Sequence, residues 1–189
     1  MAPTGVETIC WADWDGPGLQ QVLLARSAGG LRFEGMAIAS PPDGPSAHFE
    51  IEADADWIVR RVAVRRLGTA GEILLEHDGR GRWTRDGRHE PALDGAMEPD
   101  ISVTPLTNSF PVRRLGLAAG QGADIVTAYV DLGTMRVFAD PQRYTCLVPG
   151  RRYRYDSLDS DFSAEIEFAG DGLVETYRGL FRRLRARLP

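Results

Sequence analysis

The sequence predicts a mostly-β fold, an antiparallel sheet that curls, with a short helix at the C-terminal end. Two patterns carry the β assignment. Asp-Gly pairs recur at Asp15-Gly16, Asp43-Gly44, Asp78-Gly79, Asp86-Gly87, Asp94-Gly95 and Asp171-Gly172, and Asp-Gly between alternating segments is a strong hairpin cue because glycine accepts positive φ. The segments between these pairs alternate apolar and polar residues, as half-buried strands do. A third observation places the helix: Leu180, Phe181, Leu184 and Leu188 fall on one helical face, with Arg182, Arg183, Arg185 and Arg187 on the others. A sheet of this many strands in one chain must curl, and full or partial closure would manage its edges.

Taken in order, Val6 to Trp14 opens a first strand rich in β-branched and aromatic residues. Leu19 to Ala25 and Leu31 to Ala39 read as a hairpin joined through 27–30. After a Pro/Gly/Ser loop over 40–46, Phe49, Ile51 and Ala53 alternate with His48, Glu50 and Glu52. Trp57 to Leu67 reads as a longer strand with two arginine pairs, and Ile73 to His77 meets Gly81 to Arg85 across Asp78-Gly79. Asp124 to Leu132 and Thr134 to Ala139 are separated by one glycine, so their turn is tight. Arg143 to Val148 and Arg151 to Asp156 flank Pro149-Gly150. Phe162, Ala164, Ile166 and Phe168 alternate cleanly with Ser163, Glu165 and Glu167, and the chain continues into Leu173 to Tyr177.

The densest run of constrained, polar residues is DISVTPLTNSFPVRRL, Asp100 to Leu115. Pro105 and Pro111 fix two φ angles and push Thr104 and Phe110 toward extended conformations. Thr104, Thr107, Asn108 and Ser109 favour turns, because their short side chains bond to neighbouring backbone. Arg113 and Arg114 add donor forks suited to carboxylate or phosphate. Two readings fit: a stiff ligand or interface loop, and a turn whose arginines neutralise nearby acids.

This run resembles the mid-chain signature of a bacterial family described as putative glycolipid-binding, Thr-Pro-(aromatic)-Thr-Asn-Thr-Leu-Pro-Ile-Arg-Arg-Leu. The match is Thr104-Pro105, Thr107-Asn108 and Pro111-Val112-Arg113-Arg114-Leu115, with Leu106 in place of the aromatic and Ser109-Phe110 in place of Thr-Leu. Trp57 with Arg60-Arg61, Gly81-Arg82-Trp83, Asp86-Gly87, Gln142-Arg143-Tyr144-Thr145 and Asp171-Gly172-Leu173-Val174 ahead of Tyr177 extend it from Trp11 to Phe181. The resemblance implies a strongly curved sheet rolled on itself, a spiral β-roll or half-barrel, and a lipid-like ligand. The family's name rests on analogy of fold with lipid carriers, which is associational.

Composition narrows the chemistry. A chain of 189 residues with 43% hydrophobic and 26% charged residues suits a single domain over 1–189. The net charge of −5 argues against a nucleic-acid partner. All 22 basic residues are arginine, which excludes Schiff-base, Walker-type and lysine-base chemistry. Cys10 and Cys146 are far apart, and two buried thiols in a reducing compartment are expected. The N-terminus lacks the pattern of a signal peptide and no run suits a membrane span, so a cytoplasmic address without membrane insertion is expected.

His48, His77 and His89 lack metal-ligand spacing, so no metal or other cofactor is expected. No Gly-x-Ser-x-Gly elbow is present. Asp13 with Asp15 and Asp54 with Asp56 are loop neighbours rather than carboxylates facing across a cleft. Asp156, Asp159 and Asp161 lack an EF-hand's glycine and distal glutamate, so a solvated turn is favoured over a calcium site. What remains suits binding: flat aromatic faces (Trp11, Trp14, Trp57, Trp83, Tyr144, Tyr153, Tyr155) and the forks of Arg60, Arg61, Arg113, Arg114 and Arg143. Equally, the aromatics could be core and the arginines could pair with the 27 acidic residues.

The expectation is a non-enzymatic protein holding a glycolipid or fatty-acyl-like amphiphile in the concavity of the sheet. Thr104, Thr107, Asn108, Arg113, Arg114, Arg143, Tyr144, Trp57 and Trp83 are its ligand-binding candidates. The alternatives are an enzyme on such a ligand, with Asp100 and Tyr144 as acid and base, and an assembly protein without a ligand. A homo-oligomer is compatible with any of these.

Overall fold

The computed structural model describes residues 5–40 and 44–185. Alternation and glycine turns build the first eight strands, β1 (Val6–Asp13), β2 (Leu19–Ser27), β3 (Gly30–Ile38), β4 (Ala47–Ala53), β5 (Val59–Arg66), β6 (Glu72–His77), β7 (Trp83–Arg85) and β8 (Arg88–His89). Seven follow, β9 (Glu98–Ile101), β10 (Gly122–Asp131), β11 (Arg136–Val148), β12 (Arg152–Ser157), β13 (Ser163–Phe168), β14 (Val174–Tyr177) and β15 (Phe181–Leu184). All 15 strands belong to one sheet, ordered β8 through β1 and then β15 through β9. The first and last of the described strands therefore lie side by side in mid-sheet, with Cys10 opposite Leu184 and Asp13 opposite Phe181.

Neighbouring strands are antiparallel except β9 and β10, which run parallel with Asp100 opposite Tyr129. A parallel pair needs a crossover, and residues 102–121 provide it. They form a 3-10 helix, Pro105–Asn108, and one short α-helix, α1 (Ser109–Leu115). Bulges at Glu52/Ala53, Cys146/Val148 and Glu167/Phe168 add the local bend and twist a curled sheet needs. The sheet order is open, ending at β8 and β9.

Two cores result. The first, centred on β1–β7, contains Trp11, Phe33, Phe49, Ile51, Val64 and Trp83, takes in Ile101 of β9 with Ala128 and Val130 of β10, and is capped by Leu106 and Phe110 from the crossover. The second, inside β10–β14, contains Tyr144, Tyr153, Tyr155, Ile166, Phe168 and Tyr177, and receives Val112 from α1. The crossover thus lies between the two concavities and contributes to each. Trp11 ties them together, because its indole N–H donates to the Val174 carbonyl at 2.8 Å.

Five sequence expectations need correction. The C-terminal helix is replaced over its central residues by β15, and residues 186–189 lie outside the described part. A helix this short nucleates poorly, whereas β1 and β14 offer pairing on both sides of the segment. Arg183 turns inward there, to Asp171 and Glu7. The run 105–115 is helical rather than a turn. Thr104 is extended, as expected, and its hydroxyl accepts from the Leu106 N–H. Phe110 is not, because Pro111 sits in the first turn of α1, where a missing N–H costs nothing. Gly116, at φ 52°, ends α1 in the left-handed conformation typical of a helix stop. Trp57 lies in a turn at φ 66° rather than in a strand. Thr134 to Ala139 and Arg143 to Val148 merge into the 13-residue β11, which carries Pro141 within it. The sheet is mixed rather than wholly antiparallel.

Candidate ligand-binding site

The parallel register of β9 against β10 sets Asp100 beside Tyr129, and the crossover then returns over it. The Asp100 carboxylate accepts from the Thr107 hydroxyl at 2.8 Å and from the Gln142 side-chain N–H at 2.8 Å. Gln142, buried in β11, donates its other N–H to Asp140 at 2.7 Å, while its carbonyl oxygen has no partner. Asn108 donates to the buried Tyr144 hydroxyl at 2.9 Å. Burial pushes the Asp100 carboxyl above the usual carboxylate range, against the Gln142 and Thr107 hydrogen bonds, and the Asp140 charge adds to the rise. Asp140 is raised by burial as well. Burial holds the Tyr144 phenol far above its ordinary value.

These groups form one end of a cavity of about 150 Å³. Asp100, Ser102, Thr104 and Asn108 supply its polar lining, and Tyr129, Tyr155, Phe162 and Tyr177 most of its aromatic lining. The aromatic residues support one another: Tyr155 to Tyr177 is 6.0 Å, Tyr155 to Phe162 5.9 Å and Tyr177 to Phe181 6.5 Å between ring centroids. Burial is the main cause raising the phenols of Tyr155 and Tyr177. Among the described residues neither hydroxyl has a hydrogen-bond partner. Phe162 and Leu180, which also line the cavity, are exposed.

The structure brings some of the sequence candidates together and separates others. Thr104 and Asn108 line this cavity, and Thr107 and Tyr144 stand behind it, orienting Asp100 and Asn108. Arg113 lies elsewhere, over Trp57 at 3.8 Å from the ring centroid, beside a second cavity. Trp57 is packed between Phe33 and Phe110, at 5.5 Å and 5.9 Å. Arg114 pairs with the buried Glu98, and Arg143 pairs with Asp124 at 2.5 Å. Trp83 is core: its indole N–H donates to the Ala96 carbonyl at 2.8 Å, and its ring stacks on His77 at 4.4 Å. Asp156 accepts from Arg154 and Ser163, and Asp159 from Ser157. Sequence reasoning missed Tyr129, Phe162, Tyr177 and Gln142 as a group. The inward alternation of β12 and β13 hinted at one wall, but the meeting of β9, β10 and β11 depends on pairing between segments distant in the chain.

Fold and cavities together define a rolled-sheet protein with a polar-floored, aromatic-walled pocket. The chain belongs to the putative glycolipid-binding family, whose model matches residues 8–183. It is similar to a DUF1089 family protein from Pseudomonas aeruginosa known from a crystal structure, at 32% identity and a TM-score of 0.68. That likeness covers 97% of this chain and 94% of the other. A comparison with curated proteins finds no match. No described helix is long and apolar enough to cross a membrane.

Proposed function

We propose that this protein is a non-enzymatic binder that takes the polyhydroxylated head of an amphiphile into the tyrosine-walled cavity. The family's name supports a binding role, and the cavity supports this kind of ligand. The observation that carries the reading is the lining itself: directional polar groups on Asp100, Thr104 and Asn108 beside aromatic faces, with the hydroxyls of Tyr155 and Tyr177 unpartnered among the described residues. Aromatic rings cover the apolar faces of a sugar-like ring, and its hydroxyls can hydrogen-bond with the polar groups of the lining. Asp100, kept protonated to higher pH than an ordinary aspartate, can donate to a ligand oxygen as well as accept.

Size limits what enters. At about 150 Å³ the cavity lies below the roughly 300–1,000 Å³ of whole small-molecule sites, so it holds a head group and leaves the tail outside. Exposed Phe162 and Leu180 offer the tail a surface. Titration calorimetry with octyl glucoside below its micelle concentration tests this, with octanol as the tail-only control. Binding of the glucoside, lost in Asn108→Ala and weakened in Tyr177→Phe, is expected. Equal binding of octanol, or full binding by Asn108→Ala, overturns the reading.

A further inference from the structure

The second cavity carries a separate inference. It has a volume of about 390 Å³, within the usual range for a small-molecule site. Val112, Leu117, Tyr153 and Phe168 provide apolar lining, and Arg113 stands among them as its cation. No residue lines both this cavity and the tyrosine-walled one. We propose that this cavity binds the anionic head and proximal chain of an aliphatic carboxylate, with Arg113 as the anion-binding residue.

Several features make Arg113 available for that role. No described carboxylate lies within ion-pairing distance of it; its guanidinium donates to the backbone carbonyl of Asp171 instead. The nearby Asp171 carboxylate is engaged by Arg183 at 2.7 Å, which also faces Glu7 at 3.6 Å. Arg26 approaches the same Trp57 ring, at 5.7 Å, and is only loosely paired with Glu7 at 4.0 Å. Arg113 and Asp171 line the cavity, and the ion pairs run outward from them to Arg183, Glu7 and Arg26; three guanidinium groups thus meet two carboxylates, leaving one positive charge for a ligand to neutralise.

The position of Arg113 is set by the fold. Its guanidinium lies over the Trp57 ring, and Trp57 is held in its left-handed turn by Asp54, which accepts from the Asp56 and Ile58 N–H groups at 3.0 Å each. Opposite, Gly172 has φ 75° and no side chain, so the guanidinium can close against the Asp171-Gly172 turn; a Cβ there would collide with it. Loss of water around Arg113 and the neighbouring Arg26 charge both work against its protonated form, a cost that a bound anion relieves. A planar guanidinium can hold a carboxylate through two parallel N–H bonds, while the chain buries apolar surface against Leu117 and Phe168.

The test uses sodium decanoate on the full chain, with decanol and decyltrimethylammonium as neutral and cationic controls, read by calorimetry and tryptophan fluorescence. Decanoate is expected to bind and perturb the fluorescence, with the controls much weaker. Arg113→Gln, at an exposed position, is expected to weaken decanoate about tenfold or more while leaving octyl glucoside binding unchanged. Leu117→Glu, which sets a carboxylate into the cavity wall, is expected to abolish decanoate binding. Asn108→Ala, at the other cavity, should bind decanoate normally. No decanoate binding, equal binding of decanol, or full binding by Arg113→Gln overturns the proposal, whatever the outcome with octyl glucoside.

Discussion

The two halves of the sheet have the same strand periodicity and different interiors. Between β1 and β8 the inward positions hold Val22, Leu24, Phe33, Phe49, Ile51 and Val62, all nearly inaccessible to water. Between β9 and β15 apolar Ala128, Val130, Ile166 and Phe168 are joined by four buried tyrosines with Gln142, Asp140 and Thr127. Of the four buried side-chain polar atoms without partners among the described residues, three (on Ser109, Gln142 and Thr145) lie in the second half. Both proposed cavities are lined wholly by second-half residues. The alternation that makes a strand thus leaves open whether its buried face is hydrocarbon or a hydrogen-bonded network. The first half is built as a packed scaffold; the second retains unmet hydrogen-bonding capacity that a ligand can use.

The largest test of this contrast is Phe49→Ala. Phe49 is fully buried and its ring covers Gly35 on the next strand, so about 3–5 kcal/mol of stability should be lost. Denaturant unfolding measures the loss, and octyl glucoside affinity below the new transition should be unchanged; a small loss would mean that the first half is not tightly packed. Tyr144→Phe probes the second half. It strips Asn108 of its buried acceptor, for an expected cost of about 1–3 kcal/mol, and should weaken octyl glucoside binding in the same protein. A variant stable and fully binding would mean that the tyrosine network does not position Asn108.

Acid should separate the halves by sign. His77 is held neutral in the fold: burial depresses its pKa, its Nδ1–H donates to the Val59 carbonyl and the Gly81 N–H donates to Nε2. Its contribution is complete above its ordinary value of 6.5 and is lost as pH falls from there through the depressed folded value. Asp100 and Asp140 are shifted upward from 3.8, so their contribution is complete below that value and is lost as pH rises through the folded values. Hydrogen exchange, corrected for intrinsic rates, should therefore show β5 to β7 loosening and β9 to β11 tightening as pH falls from 7. Movement of both in the same direction would remove the distinction. The smallest effect is expected for Arg143→Ala, whose exposed pair with Asp124 should be worth no more than about 1 kcal/mol, with both ligands bound as before. A tenfold loss of either would restore Arg143 to the binding machinery.

Much of the sheet was legible because its information is local. The β2–β3 hairpin, β4, the β6–β7 turn at Asp78-Gly79 and β13 follow from alternation and glycine. The failures at the C-terminal segment and at the site share one cause, tertiary pairing that overrides a local pattern. Leu180, Phe181 and Leu184 satisfy a helical face, yet the open sides of β1 and β14 draw the segment into a strand. Asp100 could be noticed as a carboxylate, but its meeting with Gln142 and Tyr129 depends on a parallel register across 20 intervening crossover residues, 102–121. The Asp100–Leu115 run reads as a unit in the sequence; the fold divides it, with Thr104 and Asn108 at one cavity and Arg113 at the other.

The adjacency of β1 and β15 has a consequence for biosynthesis. β1 is made long before β15, so the outer backbone of residues 10–13 must wait unpaired while the intervening chain up to residue 180 is synthesised. Until then the growing product presents a bare strand edge, an invitation to a neighbouring nascent chain. The final strand acts as a keystone, sealing the seam between halves, and a ribosome that stops short of Phe181 would release a sticky intermediate instead of a finished roll.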